Sequence, residues 1–404
     1  MKVFVARQAI VDPKLRLHGY ELLFRSALDV AFDGLDGEAA TSQVIRNSLI
    51  SIGLDRIVAG RPAFVNFTKE SLLRGYAALL TPGSVVIEIL ESVDPDPEVI
   101  AACRKLKQQG YTLALDDFSG HGNQEPLIEY IDILKVDFRA TTEAEQATLL
   151  RRFRKGKLKF LAEKVETNEE FRHALELGYD YFQGYFIGRP ATLTGREIPG
   201  YKLHYLRILR EAHRLEMDLD AIEKLIRQEA SLTYQLLRYI NSALFGWSRE
   251  LRSIGQAVVM LGEIELRRWV CVATLPTLVR DKPLELAIQA AVRARFCELI
   301  GEQEGQRARD LDLFLIGMFS LLDAMLDRPM ADLLDELGVA AAVRDVLLGS
   351  APAGDRAAMI LGLARAYENA QWASVASTAA ALGLPQEILP SLYAQSTHWA
   401  AQIF

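Results

Sequence analysis

The sequence predicts an α/β domain built from a β/α repeat, followed by an all-helical domain. Two different spacings of apolar residues along the chain of 404 residues support this division. In the first half, short apolar runs typical of strands alternate with segments that have helical spacing. After Arg189-Pro190 the strand signals nearly disappear, and long segments carry apolar residues at helical spacing. A β/α repeat of this kind forms either a parallel sheet or a barrel.

The predicted strands follow one another through the first half. They are VFVARQAIV, AFVNF, VVIEIL, TLALDDF, ILKVDF, KFLAEKV and YFQGYFI. Between two of them, Val99, Cys103 and Leu106 have the spacing of one helix face. Several helical segments stop at a glycine just before the next strand, as expected of helix C-terminal caps. These glycines are Gly53, Gly110, Gly156 and Gly178.

A segment rich in Thr, Gly and Pro separates these two parts of the chain. This segment, ATLTGREIPG, is typical of a linker between domains. We therefore predict an α/β domain over residues 1–190, a linker over 191–200 and an all-α domain over 201–404.

Composition and charge restrict the classes of function. Half of the residues are hydrophobic, which indicates a folded globular protein, and the net charge of −7 makes nucleic acid an unlikely partner. No apolar run reaches the roughly 18 residues of a membrane span, and the N-terminus becomes charged too early for a signal peptide. We expect a cytoplasmic protein without a membrane partner. The three scattered cysteines predict buried free thiols.

Acidic residues recur at or just beyond the ends of the predicted strands. They are Glu21, Glu88, Glu91, Asp116, Asp117, Asp137, Glu163 and Glu166. Strand interiors in a β/α protein are apolar on both faces, so charges at the ends do not fill the core. If the strands form a barrel, their carboxyl ends share one rim and these acids converge there. Their mutual repulsion then requires positive charge among them.

Two sources of that positive charge are open. Lys135 lies inside the strand-like ILKVDF and could pair with one or two acids. Divalent cations suit the set better, because carboxylate oxygens and the amide oxygen of Asn66 are ligands that Mg²⁺ and Mn²⁺ prefer. Adjacent aspartates such as Asp116 and Asp117 can serve two ions, an arrangement suited to phosphodiester hydrolysis. For any one acid alone, an exposed charge or a helix cap is the simpler interpretation.

In this order the motifs resemble the EAL domain of bacterial cyclic-di-GMP phosphodiesterases, over about residues 1–190. The motifs are YELLFR, FVNFT, IEILES, ALDDF, LKVDF, AEKVET and YFQGYFIGRP. The resemblance implies a TIM-like (β/α) barrel. It also implies cleavage of cyclic-di-GMP to the linear dinucleotide pGpG with Mg²⁺ or Mn²⁺ as the cofactor.

The resemblance further implies a role for each matching residue. The metal ions would be held by Glu21, Asn66, Glu88, Asp116 and Asp117. The attacking water would be positioned or activated by Glu163 and Lys135. The dinucleotide would be contacted by Arg25 and Gln183. The metal ligands would be supported by Glu91, Asp137 and Glu166.

Two stretches depart from the usual pattern of the EAL domain. The loop after the aspartate pair reads DDFSGHGNQEPL, where DDFGTGYSSL is usual. In the family this loop couples metal binding to dimer contacts, so its replacement bears on occupancy of the second metal position and on turnover. A homodimer stays open as well. In AEKVET, Lys164 replaces the usual glycine. Its side chain either points to solvent or occupies the place of a phosphate, and we favour solvent.

The second half resembles the HDOD domain, a helical relative of the HD hydrolases. The matching stretches are LLRYINSALFG and SIGQAVVMLGEIELRRWV. The HD enzymes need an adjacent His-Asp pair among their metal ligands, and none of the six histidines here is followed by Asp. We therefore expect a non-catalytic regulatory domain that binds a protein partner. The order of the two domains resembles that of YuxH-type signalling proteins.

Three functions stay open at this point. The first is a metal-dependent cyclic-di-GMP phosphodiesterase regulated by the helical domain. The second is a degenerate barrel that senses cyclic-di-GMP, and the third is a protein-interaction scaffold. We favour hydrolysis, because a chain without metal chemistry has no physical reason to keep converging, uncompensated acids.

Overall fold

A computed structural model describes residues 4–25, 57–154, 156–188, 199–214, 216–241, 251, 253–303 and 310–404. The chain divides into two compact units. The first contains Met1–Arg189 and Leu363–Gln402, and the second contains Pro190–Gly362 and Ile403–Phe404.

Eight strands of the first unit form a closed barrel in sequence order. They are β1 (Phe4–Val11), β2 (Leu17–Arg25), β3 (Ala63–Phe67), β4 (Val85–Ile89), β5 (Thr112–Leu115), β6 (Ile133–Asp137), β7 (Lys159–Glu163) and β8 (Tyr181–Gln183). Strands β2 to β8 run parallel, whereas β1 is antiparallel to both β2 and β8. The predicted TIM-like barrel is confirmed, and the structure adds the reversed direction of β1.

Helices of the barrel unit begin where the sequence offers caps. They include α1 (Lys69–Leu73), α2 (Pro97–Gln108), α3 (Glu143–Phe153) and α4 (Asn168–Leu177). The Asp96 side chain accepts a backbone N–H from the first turn of α2, and α3 and α4 each begin with a capping box. Gly178 ends α4 in the left-handed conformation, as predicted. Gly110 and Gly156 also have positive φ, whereas Gly53 lies outside the described residues.

The second unit is helical throughout its described residues, as predicted. Its helices include α5 (Gly200–Ala212), α6 (Leu219–Arg227), α7 (Ala230–Ile240), α8 (Ile254–Leu278), α9 (Leu284–Gln303), α10 (Asp310–Phe319), α11 (Leu322–Leu326), α12 (Met330–Leu337) and α13 (Ala341–Leu348). Helices α9 and α10 approach closely at Gly317, where a β-carbon would lie 2.5 Å from the Cα of Ala294. Asn241 follows α7, and its side chain hydrogen-bonds the backbone of Leu237 and Leu251.

The C-terminal helices pack with the barrel. They are the end of α14 (Arg356–Glu368), α15 (Trp372–Leu382) and α16 (Leu389–Ala401). The Trp372 ring lies 6.1 Å from the Phe4 ring of β1, and the Tyr367 and Tyr393 rings lie 4.9 Å apart. The sequence prediction placed all of 201–404 in one helical domain. The structure differs there, because helical spacing predicts that a face is buried without indicating which neighbour covers it.

The cysteines are buried free thiols, as predicted; they are Cys103, Cys271 and Cys297. Burial raises the pKa of Cys103 to about 11, which keeps this thiol protonated at neutral pH. Separately, none of the described helices is both long enough and apolar enough to cross a bilayer.

Candidate active site

Strand alternation carries polar side chains to one end of the barrel. An apolar layer inside the barrel consists of Ile10, Phe64, Val86, Ala114, Ile133 and Leu161. Two positions further along the parallel strands stand Asn66, Glu88, Asp116, Lys135 and Glu163. Because alternate residues of a strand share a face, these polar side chains follow the apolar layer at the carboxyl ends of the strands. We call this end of the barrel the mouth.

Lys135 is the centre of the mouth and is fully buried. Its Nζ lies 2.6 Å from Glu163 Oε1, 2.8 Å from Asp116 Oδ1 and 3.4 Å from Glu21 Oε2. The same ammonium also contacts the carboxylate of Glu88, which is itself completely buried. One positive charge therefore faces four carboxyl groups from the ends of four strands.

The carboxyl groups of the mouth differ in proton affinity. Burial, together with the charges of Glu163 and Glu21, raises the pKa of Asp116 to about 10. Burial also raises the pKa of Glu163 to about 7, although Lys135 acts in the opposite direction. Burial opposes ionisation of Glu21 as well, but Lys135 and a hydrogen bond from Gln183 hold its pKa below the usual range. A single lysine therefore does not suffice to keep all four groups ionised.

Several buried oxygen atoms of the mouth have no hydrogen-bond partner within the described part of the chain. They are Asn66 Oδ1, Glu88 Oε2, Glu163 Oε2 and Gln183 Oε1. Buried polar atoms are normally paired, so a cluster of unpaired oxygens indicates a missing positive partner. Carboxylate and amide oxygens are the ligands that hard divalent cations prefer. The residues of the mouth therefore fit a divalent cation.

Six acids divide into two groups that each could hold such an ion. Oxygen atoms of Glu21, Glu88 and Glu163 lie within 4.8 Å of one another, and we call these three residues the inner group. Oxygen atoms of Glu91, Asp116 and Asp117 also lie within 4.8 Å of one another, and we call these three the outer group. The inner group is buried, whereas Glu91 of the outer group is exposed and its two aspartates are half-buried.

Lys164, the residue after β7, extends toward the outer group. Its Nζ lies 3.4 Å from Asp117 Oδ1 and donates a short hydrogen bond to Asp137. Burial opposes the charged form of this lysine, but Asp137 and Asp117 raise its pKa above the usual range. The Lys164 side chain is 52% exposed, in agreement with our preference for a solvent-facing residue, and the structure adds that its ammonium is paired with two acids.

The ends of β7 and β8 are held together by a close backbone approach. A β-carbon on Gly184 would lie 2.0 Å from the carbonyl oxygen of Val165, so this position requires glycine. The Val165 N–H donates to the Gln183 carbonyl at 3.0 Å. This contact fixes the backbone next to Glu163 and Gln183. The Gln183 side chain in turn donates to Glu21 Oε2 at 2.6 Å.

The altered loop after Asp117 is anchored at three points. Phe118 is buried against Phe153, with ring centroids 5.3 Å apart, and its N–H donates to the carbonyl of Lys135 at 2.9 Å. Gln124 donates a short hydrogen bond to the carbonyl of Glu91. Asn123 donates to Asp94 at 2.8 Å. The loop therefore connects β6 to the segment that carries Glu91.

Not every predicted site residue lies at the mouth. Glu166 pairs with Arg139 beside the start of α4 and belongs to neither acidic group. Arg25 ends β2, and its side chain lies outside the described residues. Sequence reasoning also missed Gln8, whose Oε1 accepts a 2.9 Å hydrogen bond from Gln183. Alternation in VFVARQAIV puts Gln8 on the face of Ile10, but only the reversed direction of β1 brings it to the mouth.

Comparison with protein families identifies both halves of the chain. The EAL domain family matches residues 36–190, and the HDOD domain family matches residues 198–340. YuxH of Bacillus subtilis is 36% identical over 357 residues, which cover 86% of this chain and 87% of YuxH. A Vibrio cholerae protein named cyclic di-GMP phosphodiesterase CdgJ is 34% identical, covering 99% of this chain and 93% of CdgJ.

Solved structures with similarity to the chain include BlrP1 of Klebsiella pneumoniae, in a complex with manganese and cyclic-di-GMP. That match has a TM-score of 0.39 and 25% identity, and it covers 47% of this chain and 56% of BlrP1. YkuI of Bacillus subtilis, in complex with cyclic-di-GMP and calcium, matches with a TM-score of 0.37 and 19% identity, covering 58% of this chain and 72% of YkuI.

Proposed function

The chain belongs to the family of proteins that join an EAL domain to an HDOD domain, and from this premise we propose that it hydrolyses cyclic-di-GMP to pGpG with Mg²⁺ or Mn²⁺. The name of CdgJ, which aligns over almost the whole chain, supports this activity. The observation that carries the proposal is the imbalance at the mouth, where four carboxyl groups converge on one buried lysine. A divalent cation would remove that imbalance.

The residues that would hold the cation supply oxygen atoms only. They are Glu21, Asn66, Glu88, Asp116 and Asp117. When bound, a divalent cation supplies positive charge for the phosphoryl oxygens and lowers the pKa of water. The two acidic groups offer places for two such ions. Supporting roles for Glu91 and Asp137 fit their positions beside Asp117 and Lys164, whereas Glu166 lies farther along the chain.

The chain's own residues would do the remaining work. Glu163, with a pKa near 7, is suited to take a proton from the attacking water at neutral pH. Lys135 holds Glu163 and Asp116 in place through its ammonium. Gln183 keeps one oxygen atom without a protein partner among the described residues, so it is available to the dinucleotide. Arg25 is the second proposed contact to the dinucleotide.

The test is hydrolysis of cyclic-di-GMP by the full chain, with pGpG separated by chromatography. We expect product with Mn²⁺ or Mg²⁺ and none with excess EDTA. Glu88→Gln should abolish turnover, because it removes a charge from the inner group. Glu176→Gln is the matched control, since Glu176 is exposed on α4 and away from the mouth. Intact cyclic-di-GMP in every sample, beside an active EAL control, would contradict the proposal.

One observation favours a second candidate, a sensor that binds cyclic-di-GMP without cleaving it. Both acidic groups already contact a lysine, Lys135 in the inner group and Lys164 beside the outer group. If these two lysines take the place of metal ions, the mouth would bind cyclic-di-GMP without holding the metal that hydrolysis needs. Calorimetry with cyclic-di-GMP and Ca²⁺ distinguishes the two candidates, because a sensor gives heat of binding under conditions where no pGpG forms with Mn²⁺.

The helical half would regulate the barrel and not catalyse a reaction of its own, since it lacks a His-Asp pair. Binding of a protein partner through the HDOD domain, a homodimer and a cytoplasmic location stay predictions. Pull-down of partners with the full chain would test the first prediction. Sedimentation of the purified protein would test the second.

A further inference from the structure

Lys164 occupies a backbone conformation that favours glycine. Its φ is 53°, in the left-handed region, and Asp117 also lies there with a φ of 43°. Two of the six non-glycine residues with positive φ within the described ranges thus form one ion pair. Strained backbone persists where a side chain must be aimed at a particular place.

The ammonium of Lys164 joins the ends of three strands. Lys164 follows β7, its partner Asp137 ends β6, and its partner Asp117 stands just beyond β5. Asp137 is itself held in place, because its Oδ1 accepts the N–H groups of Arg139 at 2.6 Å and Ala140 at 3.2 Å. The other carboxylate oxygen of Asp137 is therefore directed at the ammonium, which keeps the ammonium beside Asp117.

The position next to Asp117 is also where the outer group would take a cation. We propose that Lys164 is a tethered cation that competes with a divalent metal ion for Asp117. This inference rests on the proposed metal-dependent function and adds a determinant of metal affinity to it. A metal ion that binds Asp117 must first displace the ammonium, so Lys164 weakens binding mainly at the outer group; it pairs directly with Asp117 and Asp137 and acts on Glu163 of the inner group only through its charge.

The lysine is able to leave. Its side chain is 52% exposed, against 0% for Lys135, so its flexible stem can move the ammonium away from Asp117. The Asp117 side chain is 33% exposed, and ion pairs of this exposed kind are weak, so a doubly charged ion can displace the ammonium from Asp117 while the contact with the buried Asp137 persists. Lys135 has no such route, because it is enclosed by the barrel.

The experiment is titration of the metal-free full chain with Mn²⁺, without nucleotide, followed by calorimetry and by the paramagnetic resonance signal of free Mn²⁺. Lys164→Met removes the charge and keeps the length of the side chain. We expect its weaker Mn²⁺ site to bind about fivefold more tightly than in the unmodified protein. Lys164→Arg keeps the charge and should bind as the unmodified protein does. Lys164→Gly serves if the methionine variant fails to fold.

A control lies at the opposite end of β7, the strand that Lys164 follows. Lys159 starts β7, its side chain is 50% exposed, and it pairs with Asp180 at 2.8 Å, so Lys159→Met removes a comparable ion pair far from the mouth. This variant should leave the Mn²⁺ titration unchanged. In Asp117→Asn, the Lys164→Met change should have no further effect, because the contested ligand is gone.

The outcomes separate this inference from the function on which it rests. Equal Mn²⁺ affinity of the unmodified protein and Lys164→Met, with both binding the metal, would overturn the role of Lys164 alone. A gain that persists in Asp117→Asn would overturn it as well. If neither the unmodified protein nor any variant binds Mn²⁺, the metal-dependent function is overturned instead, and the role of Lys164 with it.

Discussion

Two buried charge clusters, one in each unit, differ in how many buried acids each cation serves. In the helical unit, Glu298 is 1% exposed and meets two arginines, with Arg268 at 2.5 Å and Arg295 in a shorter contact. At the barrel mouth, one lysine meets four carboxyl groups. The two arginines also pair with the more exposed acids Glu265 and Glu302, so the helical cluster has one buried acid for two cations, whereas the mouth has four acids for one buried cation.

The difference indicates which cluster serves structure and which serves chemistry. Burial raises the pKa of Glu298, but its two arginines reach solvent and satisfy the charge from within the fold. The mouth leaves carboxylate and amide oxygens unpaired in the described structure, a cost that folding alone does not explain. An excess of buried acid is therefore a better sign of function than burial of a charge as such.

The largest expected difference between the clusters is in catalysis. Glu163→Gln should lower the turnover of cyclic-di-GMP by about 10²- to 10⁴-fold, because the amide cannot accept a proton. Glu298→Gln should leave turnover within about twofold. Both rates are measured as pGpG formation at saturating Mn²⁺. A similar loss in both variants would mean that the mouth has no special role.

The second largest expected difference between the two clusters is in the free energy of unfolding. Lys135→Met removes the buried cation that contacts four carboxyl groups and should lower the free energy of unfolding by about 3–5 kcal/mol at pH 7 without metal. The loss should be smaller at pH 5, where the carboxyl groups take up protons more easily. Urea unfolding followed by circular dichroism measures both values. Saturating Mn²⁺ should recover part of the loss, and no recovery would contradict a cation site in the mouth.

The pH dependence of the metal-free protein has a defined sign. Asp116 and Glu163 have folded-state pKa values of about 10 and about 7, above their unfolded values, so the folded state holds extra protons between pH 5 and pH 7. Stability should therefore fall as pH rises through this window, by about 2 kcal/mol per pH unit for the two groups together. Asp116→Asn should flatten the slope measured by urea unfolding in EDTA. An unchanged slope would show that Asp116 is already ionised at pH 5.

The smallest expected effect is the loss of stability when the buried acid of the helical unit is neutralised. Glu298→Gln should cost about 1–2 kcal/mol of unfolding free energy, because its arginines turn to solvent and only a buried hydrogen bond is weakened. Mn²⁺ should not restore this loss, in contrast to Lys135→Met. Thermal unfolding with and without Mn²⁺ measures it, and a metal-dependent recovery would contradict a purely structural role.

Much of the barrel could be predicted from local patterns. Alternation of apolar and polar residues is a property of each strand, so it placed Asn66, Glu88 and Glu163 at strand ends before the strands were paired. Parallel strands share one rim, and this rule brought residues from distant segments to one site. Capping by Gly178 was equally local, because it depends on one left-handed residue.

Other features depended on contacts that no local pattern specifies. The direction of β1, which brings Gln8 to the mouth, follows from its antiparallel pairing with β2 across a short connection and not from its own alternation. The pairing of Lys164 with Asp117 joins residues 47 positions apart through two strained backbones. The C-terminal helices show the same limit, since their spacing predicted buried faces but not the barrel as the partner.

The amino-acid order was enough to predict the β/α rhythm, the acidic strand ends and the helical second half, because each depends on the periodicity of a short segment. Folding in three dimensions decided how many acids share Lys135, where Lys164 points and which unit holds residues 363–402. These outcomes depend on distances between side chains that are remote in sequence. Charge balance is a property of such distances, and for that reason it becomes visible only in the folded protein.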